Sequence, residues 1–106
     1  MKDLMLDIET LGGSYGSVIT QIGACYFDRF TGEVGELFES NIDIQSCLSD
    51  GLTVDGNSVK FWLNQTERSF LKDARPIREE LERYREFSKD AESVWSHATF
   101  DFSMIL

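Results

Sequence analysis

Apolar and polar residues alternate over the first forty positions with the two-residue period of β-strands. Residues 2–8 predict a first strand, moderately buried on both faces, and 12–17 a loop rich in glycine and serine. Val18 to about Asp28 predicts a second strand, in which Gly23 indicates a bulge or a close backbone approach. A hairpin with a positive φ at Gly32 leads to a third strand over about 33–42, which completes an antiparallel meander.

The periodicity then changes. Residues 43–54 lack a clear period and predict a loop, after which Asp55 is a suitable N-cap for a helix to about Gln65. Val59, Trp62 and Leu63 would form its apolar stripe, and a short helical turn is predicted around Phe70 and Leu71.

Pro76 opens the clearest helix, since proline is tolerated in the first helical turn. Its apolar positions recur at helical spacing: Ile77, Leu81, Tyr84 and Phe87. The charged residues between them predict a water-facing surface and not a nucleic-acid patch: Arg78, Glu79, Glu80, Glu82, Arg83, Arg85 and Glu86.

The last segment predicts a short strand over 93–96, parallel to the first strand because it follows a helix. Residues 97–99 then turn the chain into 100–106, which begins as a helix and ends in strongly apolar residues. This ending suggests an incomplete domain, and an exposed apolar edge there would favour a homodimer.

Composition limits the functional classes. A chain of 106 residues with 42% hydrophobic residues fits one small domain, and its net charge of −9 argues against unaided binding to a phosphate backbone. Cys25, Cys47 and the lone His97 fit no zinc or redox spacing, so free thiols are expected. No signal peptide or membrane-length apolar run is present, which favours a cytoplasmic protein.

Asp7 and Glu9 are the candidate chemical groups. Their spacing in a strand puts both on the same face as Met5, opposite Leu4, Leu6 and Ile8. Two adjacent carboxylates repel each other, and a cation between them relieves the repulsion; all-oxygen ligands suit Mg²⁺ or Mn²⁺. A solvated polar strand end is the simpler alternative for an Asp-x-Glu pair taken alone.

Further motifs make a family resemblance visible. Residues 6–12 (LDIETLG) and 96–101 (SHATFD) resemble the first and second exonuclease motifs of the DEDD, or DnaQ-like, 3′ to 5′ exonucleases. Residues 18–24 (VITQIGA) resemble the following strand, and 60–63 (KFWL) a helix common in the exonuclease VIII-like phage and prophage branch. The resemblance covers essentially the whole chain and implies an α/β, ribonuclease H-like fold: a mixed sheet with an antiparallel meander, then helices and a parallel strand.

The resemblance implies that Asp7, Glu9 and Asp101 are three of four catalytic, metal-binding carboxylates, with Mg²⁺ or Mn²⁺ in a two-metal site. By the same resemblance Thr10, Leu11 and Phe100 contact or support the terminal nucleotide. The activity implied is hydrolysis of phosphodiester bonds from the 3′ end of a single strand, releasing nucleoside 5′-monophosphates. His97 is expected to pack or cap and not to act as general base.

The chain departs from the family at its end. The third motif, which supplies a general-base His or Tyr and a fourth Asp, does not occur before Leu106, so residues 1–106 read as the N-terminal portion of one exonuclease domain. A catalytically incomplete remnant that binds nucleic acid or protein is therefore the alternative function. Among the aromatic residues, Phe61 and Trp62 are adjacent and cannot share a helix face, so one of them is expected near the site. DNA and RNA are not distinguished by the sequence.

Overall fold

One mixed sheet and three helices make up the protein in a computed structural model that describes residues 1–66 and 68–96. The strands are β1 (Asp3–Thr10), β2 (Ile19–Phe27), β3 (Val34–Asn41) and β4 (Ser93–Trp95). The helices are α1 (Ile44–Ser49), α2 (Gly56–Leu63) and α3 (Ile77–Ser88), with a short 3₁₀ turn at Ser69–Leu71. The strand order is β3-β2-β1-β4.

The predicted meander and the parallel fourth strand are confirmed. β1 pairs with β2 and β2 with β3 in antiparallel fashion, and the hairpin between β2 and β3 contains Gly32 at φ +78°. β4 pairs with β1 in parallel, with Met5 opposite Trp95 at its end. β4 therefore ends two residues before the level of Asp7.

The two faces of the sheet differ in burial. Leu4, Leu6 and Ile8 on β1 are buried, whereas Met5 and Asp7 on the opposite face are exposed. The expectation that the first strand is moderately buried on both faces was therefore wrong. The helix α3 covers only the first of these faces, and the second face presents the polar side chains of β1.

Aromatic contacts fix α3 against the sheet. Tyr26 and Phe38 from the strands pack against Phe87 with ring centroids 5.1 and 5.4 Å away, and Phe38 meets Tyr84 at 5.9 Å. The Tyr26 hydroxyl donates a 2.6 Å hydrogen bond to the carbonyl oxygen of Phe87. The predicted apolar stripe of α3 is confirmed by the burial of Ile77 and Tyr84.

Glu80 corrects the predicted water-facing surface of α3. Its side chain is only 1% exposed, because it lies one turn from Ile77 and Tyr84 on the side of the helix that meets the sheet. Ser40 donates a 2.6 Å hydrogen bond to Glu80 Oε1, and Arg83 forms an ion pair with the same oxygen. The prediction from charge that Glu80 faces water was therefore wrong.

The loop predicted for 43–54 was also wrong in part, because it contains α1. Asp43 caps this helix by accepting a 3.0 Å hydrogen bond from the Ser46 amide, and Cys47 is its buried residue. The helix is six residues long, too short for the periodicity that marks longer helices. The capping of α2 by Asp55 is confirmed, but Leu63 is exposed and not part of a buried stripe.

Both cysteines within the described residues are free, as predicted; Cys47 is buried and Cys25 is half-buried. No helix in the described part of the chain is both long and apolar enough to span a membrane. Residues 97–106 lie outside the described residues. They include the predicted C-terminal helix start, the second exonuclease motif apart from Ser96, and the apolar edge proposed for a homodimer.

Candidate functional site

Asp7 and Glu9 project from the open face of β1, as the spacing predicted. They stand at the head of two rows that cross the sheet: Asp7 aligns with Gly23 on β2 and Glu39 on β3, while Glu9 aligns with Gln21 and Asn41. Gly23 contributes no side chain between Asp7 and Glu39, so the first row is open above β2. Both carboxylates therefore lie along one wall of a cleft over the meander.

This cleft has a volume of about 580 Å³. Its floor includes the amides of Gln21 and Asn41, whose side chains are joined by a 3.1 Å hydrogen bond from Gln21 Nε2 to Asn41 Oδ1. Asn41 Nδ2 donates in turn to the carbonyl oxygens of Ser69 and Lys72, at 3.1 and 2.8 Å. The amide pair thereby ties the 3₁₀ turn to the sheet and fixes the far wall of the cleft.

A β-bulge in β2 lies directly beside Glu9. Glu9 aligns with Gln21 but Thr10 aligns with Ile19, so Thr20 is the extra residue on β2. Thr20 is buried and donates a 3.2 Å hydrogen bond from Oγ1 to the carbonyl oxygen of Glu9. Gly23, where the sequence suggested a bulge, sits in regular pairing, and an added Cβ there would make only an ordinary contact 3.8 Å from the Asp7 carbonyl oxygen.

A second cleft, of about 450 Å³, opens on the other side of Glu9. Thr10, Phe61 and Trp62 line it, and Phe61 is 56% exposed while Trp62 is half-buried. Trp62 Nε1 donates a 3.0 Å hydrogen bond to the carbonyl oxygen of Thr10, which anchors α2 to the end of β1. Of the two adjacent aromatic residues, Phe61 is the exposed one, and it lines this cleft together with Glu9.

The remaining predicted site residues fall in two places. The Leu11 side chain is 7% exposed and packs in the hydrophobic core. Its backbone amide donates to the Val18 carbonyl oxygen, and its carbonyl oxygen accepts from the Asp55 amide. Phe100 and Asp101 lie outside the described residues, so their roles stay predictions.

The donor set fits a hard divalent cation in part. Two carboxylates on neighbouring positions of one strand are oxygen ligands of the kind Mg²⁺ takes together with waters and substrate phosphate. Within 1–66 and 68–96 no three His, Cys, Asp or Glu side chains come together as a metal site. Asp7 and Glu9 would therefore need a further donor, and Asp101 is the one the sequence predicts.

The structure also brings residues to the cleft that the sequence did not single out. Glu39 and Asn41 come from β3, at the same i, i+2 spacing as the acid pair, and Arg75 and Arg83 stand beyond that strand. The i, i+2 spacing of Glu39 and Asn41 could have indicated from the sequence that both face the cleft. The two arginines could not be assigned to the cleft without the fold, because α3 and the loop before it bring them to it.

A mixed sheet of this order, flanked by helices, with adjacent carboxylates on the inner strand β1, is a ribonuclease H-like fold of the DEDD type. The family model of the 3′-5′ exoribonuclease Rv2179c-like domain matches residues 2–106. The chain belongs to this family.

A solved structure supports the fold. The crystal structure of cell-death related nuclease 4 (CRN-4) is similar with a TM-score of 0.60 and 16% sequence identity, over 93% of this chain and 36% of that one. At this identity the similarity concerns the fold alone, and the present chain spans about a third of the length of that nuclease. A comparison with curated proteins found no match.

Proposed function

We propose that this domain is a metal-dependent 3′ to 5′ exonuclease that hydrolyses phosphodiester bonds and releases nucleoside 5′-monophosphates. The observation that carries the proposal is the placement of Asp7 and Glu9 side by side on the open face of β1, between two clefts. The description of the family favours RNA as the polymer. The exonuclease VIII-like phage or prophage branch stays a prediction from the sequence motifs.

In this proposal Asp7 and Glu9 hold Mg²⁺ or Mn²⁺, with Asp101 as a third donor of a two-metal site. The metal would neutralise phosphate charge and make a bound water a better nucleophile. Glu9 borders both clefts, so it would orient groups on both sides of the scissile bond.

The second cleft suits the 3′-terminal nucleotide. The exposed ring of Phe61 offers a surface on which a base can stack, and Thr10 and Glu9 line the same cleft. Trp62 holds this wall in place through its hydrogen bond to Thr10 and does not need to touch the base. The single-stranded 3′ end is thus the proposed partner of the site.

The experiment compares the chain with Asp7→Asn, which keeps the side-chain shape but removes the charge. Calorimetric titration with Mn²⁺ measures binding, and digestion of a 5′-labelled RNA strand measures activity as a ladder that shortens from the 3′ end. Glu36→Gln is the matched control, because it removes one carboxylate of β3 outside the acid cleft. We expect Asp7→Asn to lose Mn²⁺ binding and digestion, with its melting temperature at or above that of the parent.

The outcomes separate the alternatives. Equal Mn²⁺ binding by Asp7→Asn and the parent would contradict the metal site. Metal binding without digestion by the parent would favour the catalytically incomplete module, since general-base help of the kind supplied by the third motif is worth about 10²- to 10⁴-fold. A ladder from the 5′ end, tested with a 3′-labelled strand, would contradict the polarity.

A further inference from the structure

Two arginines stand on the wall of the acid cleft opposite Asp7 and Glu9. Arg75 precedes α3 and Arg83 lies on it, and both line the cleft together with Asn41. The acid pair is on β1 and the arginines lie beyond the edge strand β3, so more than two strand spacings, each roughly 5 Å, separate them. Arg75 and Arg83 therefore bring positive charge to a cleft whose other charged lining residues are acidic: Asp7, Glu9, Glu39, Asp73 and Glu80.

The two arginines are held in different ways, Arg75 mainly through its backbone and Arg83 through its side chain. Arg75 is fixed through its backbone: its amide donates to the Asn41 carbonyl oxygen at 2.9 Å, and its carbonyl accepts from the Asp43 amide at 2.8 Å. Arg83 stacks over the Phe38 ring, 4.9 Å from the centroid, and forms an ion pair with Glu80 Oε1. Both side chains remain at least half exposed, so they are ordered yet accessible.

Glu80 does not consume the charge of the pair. It is one carboxylate between two guanidinium groups, and Arg75 Nε reaches its Oε2 only as an ion pair at 3.9 Å, without a hydrogen bond. The buried carboxylate lies behind the arginines and carries one negative charge against their two, while Glu39 and Asp73 also line the cleft. Two half-exposed guanidinium groups that line one cleft in a chain of net charge −9 point to an anionic ligand.

We infer that Arg75 and Arg83 bind the phosphate backbone of the single-stranded nucleic acid upstream of its 3′ end. This inference rests on the proposed function, which places the 3′ end at Asp7 and Glu9. Guanidinium groups suit this task because their planar donors pair with phosphate oxygens and stay charged. The arrangement also resolves the low basicity of the chain: the strand is held by two placed cations and by the metal, instead of by a broad basic surface.

A structural role is the competing explanation, in which the arginines only neutralise Glu80. The two explanations separate in a background without that charge, because Glu80→Gln removes the need for neutralisation and leaves a phosphate site intact. The test variants are therefore Arg75→Ala, and Arg83→Ala combined with Glu80→Gln, so that no lone carboxylate is left buried. Glu80→Gln alone and Arg85→Ala, which removes an exposed arginine of α3 outside the cleft, are the controls.

The measurement is fluorescence anisotropy of a labelled RNA strand of about ten nucleotides in Ca²⁺ and of a labelled dinucleotide, at several salt concentrations. We expect each arginine loss to weaken binding of the longer strand on the order of tenfold and to lower the slope of log K against log salt by about 0.7. The dinucleotide should be affected much less. Arg85→Ala should bind the longer strand like the parent, and Glu80→Gln at least as tightly, because it removes a negative charge beside the proposed phosphate site.

Equal affinities and salt slopes in the arginine variants and the controls would overturn the inference, as would equal losses for the dinucleotide and the longer strand. The proposed function fails separately. A parent chain that binds the longer strand through these arginines but produces no 3′ ladder in Mn²⁺ would contradict the nuclease and support the backbone site. A parent chain that digests RNA from the 3′ end, together with arginine variants that bind the longer strand normally, would support the nuclease and contradict the backbone site.

Discussion

The Ser40 hydroxyl donates a 2.6 Å hydrogen bond to Glu80 Oε1 and thereby joins β3 to α3 in the protein interior. Ser40 is 7% exposed and Glu80 is 1% exposed, so neither side chain can readily replace this hydrogen bond with one to water. Hydrogen bonds to buried charged groups are worth more than neutral ones, because the carboxylate would otherwise be desolvated without full compensation. This contact links the strand that carries Glu39 and Asn41 to the helix that carries Arg83.

We expect Ser40→Ala to lower the free energy of unfolding by about 2 kcal/mol, measured by urea denaturation. The same substitution in a Glu80→Gln background should cost clearly less, because the partner is then neutral. Ser14→Ala, at an exposed position in the loop between β1 and β2, is the control and should stay close to the parent. Equal losses in both backgrounds would show that the hydroxyl does not act through the charge of Glu80.

The loop between β1 and β2 requires glycine at position 12. A Cβ atom there would lie 2.2 Å from Ser17 Oγ and 2.9 Å from Ser17 Cβ, while a Cβ at Gly13 would meet nothing within 4 Å. We expect Gly12→Ala to destabilise the fold by about 1–3 kcal/mol through overpacking, and Gly13→Ala to have little effect. Thermal melting of Gly12→Ala with Ser17→Gly tests the cause, since this second substitution removes the clashing atoms and should restore part of the loss.

Phe61 should contribute to substrate binding and not to folding. Its ring is 56% exposed beside Glu9 and Thr10, so Phe61→Ala removes a stacking surface without opening a core cavity. Base stacking is worth about 1–3 kcal/mol per base, so the apparent affinity for the 3′ end should fall roughly 5- to 150-fold with little change in melting temperature. Phe30→Ala, which removes an exposed ring in the hairpin between β2 and β3, is the control. Similar affinities for both variants would exclude Phe61 from the nucleotide site.

The two thiols should react at different rates. Cys47 is fully buried, its Sγ lies 3.6 Å from the Ile19 carbonyl oxygen, and burial raises the pKa of its thiol. The thiolate is the reactive form, so a disulfide reagent at neutral pH should modify Cys25 quickly and Cys47 only on unfolding. Cys25→Ser should remove the fast phase and leave the slow one. A fast phase that survives in this variant would contradict the buried position of Cys47.

Acid stability should depend on a surface pair. Arg78 hydrogen-bonds Asp50 at 2.9 and 3.1 Å and holds the pKa of that carboxyl below its ordinary value of 3.8. The resulting stabilisation is present above the pKa of the unfolded state and is lost as the pH falls through the lower, folded value. Below about pH 4 the stability of Arg78→Ala should therefore approach that of the parent, a convergence measured by urea midpoints across pH. A gap that widens on acidification would contradict this assignment.

The sequence predicted the sheet well because its strands obey a simple alternation. The side chains of β1 that share a face were predicted correctly, because a strand of period two puts Leu4, Leu6 and Ile8 together, although the sequence did not show that only this face is buried. It failed at α1, where a capped helix of six residues is too short to show a period. It failed also at Glu80, because the buried position of a carboxylate depends on Ser40, forty residues away in the chain.

The candidate site was predictable only along β1. Asp7 and Glu9 are neighbours in sequence, so local geometry suffices to place them together. Asn41, Arg75 and Arg83 reach the same cleft from β3, the following loop and α3, and only the tertiary arrangement assembles them. Leu11 illustrates the opposite limit: a motif residue beside the site whose side chain turns into the core.

The extra residue at Thr20 constrains how this protein can change over evolutionary time. On one side of it the inward positions of β2 are Ile22, Ala24 and Tyr26, and on the other side the inward position is Ile19. Removing or adding a residue between Ile19 and Ile22 would reverse which side chains face the core on one side of the bulge. Substitutions in this segment should therefore be tolerated far more readily than changes of length, and relatives should align across it without gaps.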